Sequence, residues 1–251
     1  MKPLLSIVTL LVGLGAVIGG TFAVFTDTET TSGSTFTAGT VDIAVDGQNP
    51  WASSYQVSVG EQTGGLKPSQ TGYITFDIGN VGDNPVHVWK MVSNVRDGGG
   101  LTAYDCRTLI PAVPVSSEPE CQAETALAGT VTNISTKIIY DLSILPPGPS
   151  PTPVVLIADT GVLGELEITD YSLADRVGLW IYLGVINPAD TMVVTQSYHL
   201  VTSAGNEYQG DTSTFDIDLF ASQVEGAAID PCGDPLSTLS PPVPGDQMAC
   251  V

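Results

Sequence analysis

Apolar and polar residues alternate along much of this chain with a period of two. In TVDIAVDG, Val41, Ile43 and Val45 oppose Asp42 and Asp46. In GYITFDIGN, Ile74, Phe76 and Ile78 share one face, and in KIIYDLSIL, Ile138, Tyr140, Leu142 and Ile144 do the same. In TFDIDLFA, Phe215, Ile217 and Leu219 alternate with Asp216 and Asp218. A strand with one buried face and one wet face gives this alternation. Turn residues separate the runs, as in GNVGDNP (79–85), NPAD (187–190) and Gly205-Asn206. Many short strands punctuated by Gly and Pro predict an all-β fold, a sandwich or barrel.

Three stretches depart from the alternation. Residues 97–160 hold a glycine run, many prolines and the sequence LPPGPSPTP (145–153), which no central strand tolerates. They read as a loop-rich insertion on a single domain spanning 24–251. The pair Thr169-Asp170 is placed to cap one short helix running to Asp175. Residues 226–251 show no clear strand and read as an irregular tail.

The start of the chain is of another kind. Lys2 precedes an apolar run from Leu4 to Ile18, followed by Thr21-Phe22-Ala23. A basic start, an apolar stretch and a small-residue site describe a secretory leader over 1–23, cut between Ala23 and Val24. The run is too short and glycine-rich for a good spanning helix, which needs about 20 apolar residues. An exported product, extracellular or on the cell surface, is therefore expected.

Composition narrows the function. There are 27 acidic residues against 7 basic ones, a formal charge of −20. Nucleic-acid binding relies on Lys and Arg neutralising phosphates, so nucleic acid is excluded as a partner. Yet 43% of residues are apolar, enough to bury a core. Trp51, Trp89 and Trp180 sit among apolar neighbours and read as core. In an exported chain the four cysteines are expected as disulfides. Spacing favours Cys106–Cys121 and Cys232–Cys250 among the three connectivities. Closing a loop of about 15 residues adds about 3 kcal/mol.

Catalytic patterns are sparse. A zincin needs two His one helical turn apart with a Glu between, whereas His87 and His199 are distant and on strand-like sequence. The chain holds no Gly-x-Ser-x-Gly elbow, and Gly98-Gly99-Gly100 lacks the Lys and helix start of a phosphate loop. Asp211, Asp216 and Asp218 offer oxygens to a hard cation such as calcium. The plainer reading is an acidic solvent-facing stripe that discourages misaligned strand pairing. Asn133-Ile134-Ser135 is a sequon, of consequence only in a host that glycosylates asparagine. No catalytic residue, metal site or cofactor is expected.

Three stretches resemble the TasA/camelysin family of secreted biofilm-fibre proteins. GGTFAVFTDTETTSGSTFTAGTVDI (19–43) is similar to that family's leader and first strand. LKPSQTGYITFDIGNVGDNPVHV (66–88) resembles its Leu-Lys-Pro-Gly-Asp turn and following strand, with Ser69-Gln70 in place of Gly-Asp. GNEYQGDTSTFDIDLFASQ (205–223) is close to its closing signature. The resemblance covers roughly half the chain and leaves the middle and the cysteines unmatched. It implies a jelly-roll sandwich, cleavage by a SipW-type signal peptidase and a fibre-forming surface role.

Assembly follows from that implication. An unpaired sheet edge is a template for another strand. The β-prone arm Val24, Phe25, Thr26, Asp27, Thr28, Glu29, Thr30 and Thr31, within 24–35, is the candidate strand donated to another copy, with Phe25 as anchor. Head-to-tail donation gives a filament. The partners expected are copies of the chain itself, the signal peptidase and an anchoring or minor subunit. A camelysin-like metallopeptidase and a type IV pilin-like subunit that keeps its apolar helix are the competing expectations.

Overall fold

The computed structural model describes residues 26–30, 41–51, 54–58, 66, 70–99, 133–158, 172–208, 210–226, 228–237 and 240–250. They form two antiparallel sheets packed face to face. One sheet is built on β3 (Ser54–Ser58), β10 (Asp211–Gln223), β5 (Val86–Gly99) and β8 (Leu179–Ile186), neighbours in that order. The other runs β4 (Thr71–Asn80), β9 (Thr191–Leu200), β6 (Ile138–Leu145) and β7 (Val154–Ile157). Eight strands in these two interlocked orders make a jelly roll. Three short strands extend it: β2 (Ile43–Val45) beside β4, β11 (Gln247–Ala249) beside β8, and β1 (Thr26–Thr30) beside β10.

The alternation seen in the sequence decides what fills the space between the sheets. Phe76 and Ile78 of β4, Ile138, Tyr140, Leu142 and Ile144 of β6, and Phe215, Ile217 and Leu219 of β10 all belong to one buried cluster. Trp51 joins it, its ring 5.3 Å from that of Phe76. A bulge where β8 meets β5, between Val88 and Trp89, keeps the inner face apolar. There Gly184 takes φ +137°, a region open to glycine alone, so Ile186 and then Leu183 and Ile181 all face inward.

The first sheet is buried on its outer face as well. Trp89, Trp180, Tyr182 and Phe220 form a second cluster there, packed against Ile229, Leu236 and Met248 of the C-terminal tail. The tail is held by the Cys232–Cys250 disulfide and by the Ser222 hydroxyl, which donates to the Ile229 carbonyl at 2.7 Å. Read from sequence as strandless, it contributes β11, which pairs with Leu179–Ile181. Reducing the disulfide removes about 3 kcal/mol of chain-entropy stabilisation. A lower melting temperature and red-shifted tryptophan emission are expected on reduction. A Cys232→Ser variant should show the same direction of change in both readouts.

Two further sequence expectations are corrected. The expected short helix is a 3-10 turn, Ala174–Arg176. Ser172 and Asp175 close it reciprocally, Ser172 Oγ donating to Asp175 Oδ2 at 2.7 Å and Asp175 N to Ser172 Oγ at 3.3 Å. Thr169 and Asp170 lie outside the described residues. Within 97–160, Ile138–Leu145 and Val154–Ile157 are strands of the sandwich rather than decoration, because β6 pairs along its length with β9. Cys106 and Cys121 lie outside the described residues.

Candidate functional site: the half-covered edge of β10

β10 is 13 residues long, and one of its edges is paired with β5 from Asp211 to Gln223. The other edge is shared by two short strands. β3 covers Thr212–Asp216, with Ser54 opposite Asp216, and stops there. β1 covers the remaining stretch, Thr26 opposite Ser222 and Thr30 opposite Asp218. Both run antiparallel to β10, end to end, with Ile217 between them. The jelly roll's own strand is thus too short for its neighbour, and a five-residue slot on β10 is filled by the N-terminal arm.

The arm holds that slot weakly. Its residues are Thr, Asp, Thr, Glu and Thr, none of them apolar. About five backbone hydrogen bonds contribute about 0.5–1.5 kcal/mol each. Ordering five residues costs about 1–2 kcal/mol each, so backbone pairing alone comes out near zero. The register adds nothing. It sets Glu29 opposite Leu219 and Asp27 opposite Ala221, both fully buried and core-facing. A one-residue slip would set threonines there instead, and polar strands specify register poorly. Thr26–Thr30 of the expected donor segment are therefore seen paired within their own sheet. Ala23, Val24, Phe25 and Thr31 lie outside the described residues.

The structure separates the residues considered for metal chemistry. His87 lies on the outer face of the first sheet, its Nδ1 2.7 Å from the Tyr182 hydroxyl, and burial lowers its pKa. His199 lies on the outer face of the second sheet, Nδ1 3.5 Å from Asp141 Oδ2. Packed sheets are about 10 Å apart, so the two imidazoles cannot share an ion. Asp211 and Ser213 are buried and alternate with Asp216 and Asp218, which face the other way. Asp216 accepts from Asn94 Nδ2 at 2.8 Å. Burial raises the Asp218 pKa. No group of three or more His, Cys, Asp or Glu able to hold a metal occurs among the described residues. These residues do not fit a catalytic zinc. Asn133 is exposed, and its side-chain oxygen accepts from the Tyr208 hydroxyl at 3.2 Å.

One buried polar cluster gave no signal in the sequence. Lys90, on β5, is wholly buried between the sheets, and its Nζ donates to the Tyr140 hydroxyl at 2.8 Å. Tyr140 in turn donates to Gln196 Oε1 at 3.3 Å. Burial lowers the Lys90 pKa to about 7, against a smaller opposing pull from Asp218.

No curated protein matches the chain. Among solved structures, one titled as the structure of infectious bursal disease virus Gx strain aligns at TM-score 0.30 and 12% identity, over 80% of this chain. The chain spans 32% of that protein. A likeness at this level carries no argument about fold or function. Residues 2–96 match the family described as Camelysin metallo-endopeptidase. That span contains the expected leader, β1 to β4 and nearly all of β5. Residues 2–96 of this chain are a match to the camelysin family, and the TasA/camelysin resemblance read from the leader and first strands holds across them.

Proposed function

We propose that this chain is an exported structural subunit of a surface or matrix filament, joined head to tail by exchange of its N-terminal arm. The observation that carries the reading is the slot on β10, Asp218–Ser222, filled by a polar five-residue strand. A strand held so weakly within one molecule exchanges readily with the same strand of another, and the exchanged pairing forms the same backbone bonds. Residues 24 and 25 then add apolar burial of about 1.5–3 kcal/mol each, which the arm proper lacks. Because each subunit donates one strand and accepts one, association continues without closing.

Export sets the timing. While the leader is attached, the apolar run 4–18 tethers the arm, with six residues between its end and Phe25. Cleavage after Ala23 frees it. Among the described residues no helix is long and apolar enough to cross a membrane. Mass spectrometry of the protein recovered outside the cell is expected to show Val24 as its first residue. A start upstream of the apolar run would point to the pilin-like alternative and end this reading. The metallopeptidase alternative draws on the family's description alone, since His87 and His199 stand on opposite outer faces.

A further inference from the structure

The outer face of the second sheet carries a groove of about 400 Å³ crossing β4, β9, β6 and β7. Clefts that take small ligands run from about 300 to 1,000 Å³. Strand register aligns its residues in rows. Tyr73, Ser197 and Asp141 stand side by side across three strands, and the next row holds Thr75, Thr195 and Ser143. Three strand spacings of about 4.8 Å make the groove about 14 Å wide from β4 to β7.

The row through Tyr73 is both apolar and polar. Tyr73 is 69% exposed, far more than any aromatic side chain of the core clusters. A ring this open leaves its apolar face available for stacking. Asp141 lies at the other end, part-buried, and its position is fixed. Ser197 Oγ donates to its Oδ2 at 2.9 Å, and His199 Nδ1 lies 3.5 Å from the same oxygen. His199 is itself 2% exposed and lies behind that carboxylate. Hydroxyls of Ser143 and Thr195 flank this line.

We propose that this groove binds a neutral polysaccharide strand. A sugar ring presents an apolar C–H face and equatorial hydroxyls at its rim. The first stacks on a tyrosine face, and the second donate in pairs to a braced carboxylate. Charge decides against the other occupants. Among the described residues no Lys or Arg lines the groove, its charged acceptor is Asp141, and the whole chain carries −20. Uronates, sulfated glycans and nucleic acids are repelled. An extended peptide gains its affinity by main-chain pairing along a strand edge, whereas this groove lies on the face of the sheet. The proposal stands apart from strand exchange, which uses the other sheet.

The test is affinity electrophoresis of the full exported chain through gels containing a neutral β-glucan, a neutral mannan or alginate. Calorimetry with a hexamer of N-acetylglucosamine runs alongside. At least one neutral glycan is expected to retard or bind the chain. Tyr73→Ala should weaken that binding about tenfold, and Tyr73→Phe should retain it. Asp141→Asn should weaken it while melting as the parent does. Failure of every neutral glycan, binding of alginate alone, or equal binding by Tyr73→Ala would each overturn the proposal. So would a Tyr73→Ala chain that binds no differently but self-associates less, which would make the face a contact between copies. Filament formation is scored separately and is expected unchanged in all three variants.

Discussion

A chain lacking residues 24–31 is expected to fold and to remain monomeric at concentrations where the parent forms filaments. The arm supplies the only strand proposed to pass between subunits, so polymer yield should fall to background rather than partially. The monomer's melting temperature should move little. Backbone pairing of β1 on β10 comes out near zero once ordering is counted, and about 1 kcal/mol shifts the midpoint of a domain of this size by about 2–4 °C. Adding a synthetic peptide of residues 24–31 should block filament growth by the parent, since it fills Asp218–Ser222 without offering a slot of its own. Sedimentation velocity and negative-stain microscopy read both outcomes. Filaments of ordinary length from the shortened chain would remove the arm from the mechanism. A shortened chain that melts tens of degrees lower would show that β1 is a structural strand of its own sheet.

Replacing Lys90 with Met is expected to stabilise the protein. A lysine whose pKa falls from 10.5 to about 7 on folding resists burial as a cation, and each unit of that shift is about 1.4 kcal/mol. Substitution also removes the donor to Tyr140, whose hydroxyl keeps Gln196 as acceptor. The net gain at neutral pH is set at about 1–4 kcal/mol, as for other buried charges replaced by apolar side chains. The sign with pH follows from proton counts. Between pH 7 and 10.5 the unfolded chain holds a proton on Lys90 that the folded one has lost, so parent stability rises with pH across this window. Below pH 7 the cost is present in full and constant. Tyr140, Tyr182 and Tyr198 are shifted upward by burial and stay neutral through most of the window. The groups that bear on Lys90 are Tyr140, Gln196 and the opposing Asp218, with Arg176 acting on Tyr140. Thermal melts from pH 6 to 9.5 should therefore show a rising midpoint in the parent and a flatter one in Lys90→Met, the two converging at the alkaline end. A Lys90→Met protein less stable at every pH would mean that the hydrogen bond outweighs the buried charge.

The strands that alternate were legible because each has one wet face. Phe76 and Ile78 on β4, Tyr140 and Leu142 on β6, and Ile217 and Leu219 on β10 all took the predicted side. β8 was not legible for the opposite reason. Its run LWIYLGVI is buried on both faces, since Trp180 and Tyr182 pack under the tail while Ile181 and Leu183 fill the sandwich. A strand covered on both sides shows a continuous apolar run instead of a period of two. On β5, His87 lies on strand-like sequence, while Lys90 breaks the apolar inner face and is buried there nonetheless.

The candidate site was legible only in part. That residues 26–30 would form a strand follows from their β-branched threonines. That they fill half of one edge depends on where β3 stops, which no local pattern announces. The groove is less legible still. Asp141 is far along the chain from Ser197 and His199 and meets them because β6 and β9 pair in one register. The calcium reading failed on simple parity, since Asp211 is an odd number of residues from Asp216 and faces away from it.

Strand exchange is tested most directly by a Thr30→Cys, Asp218→Cys chain, since these positions are opposed in the pairing of β1 with β10. Oxidised as filaments and run on a denaturing gel without reductant, it should give a ladder of covalent multimers that reductant collapses to one band. Filaments that oxidise to a single monomeric species, every bond closed within its own chain, would contradict the account.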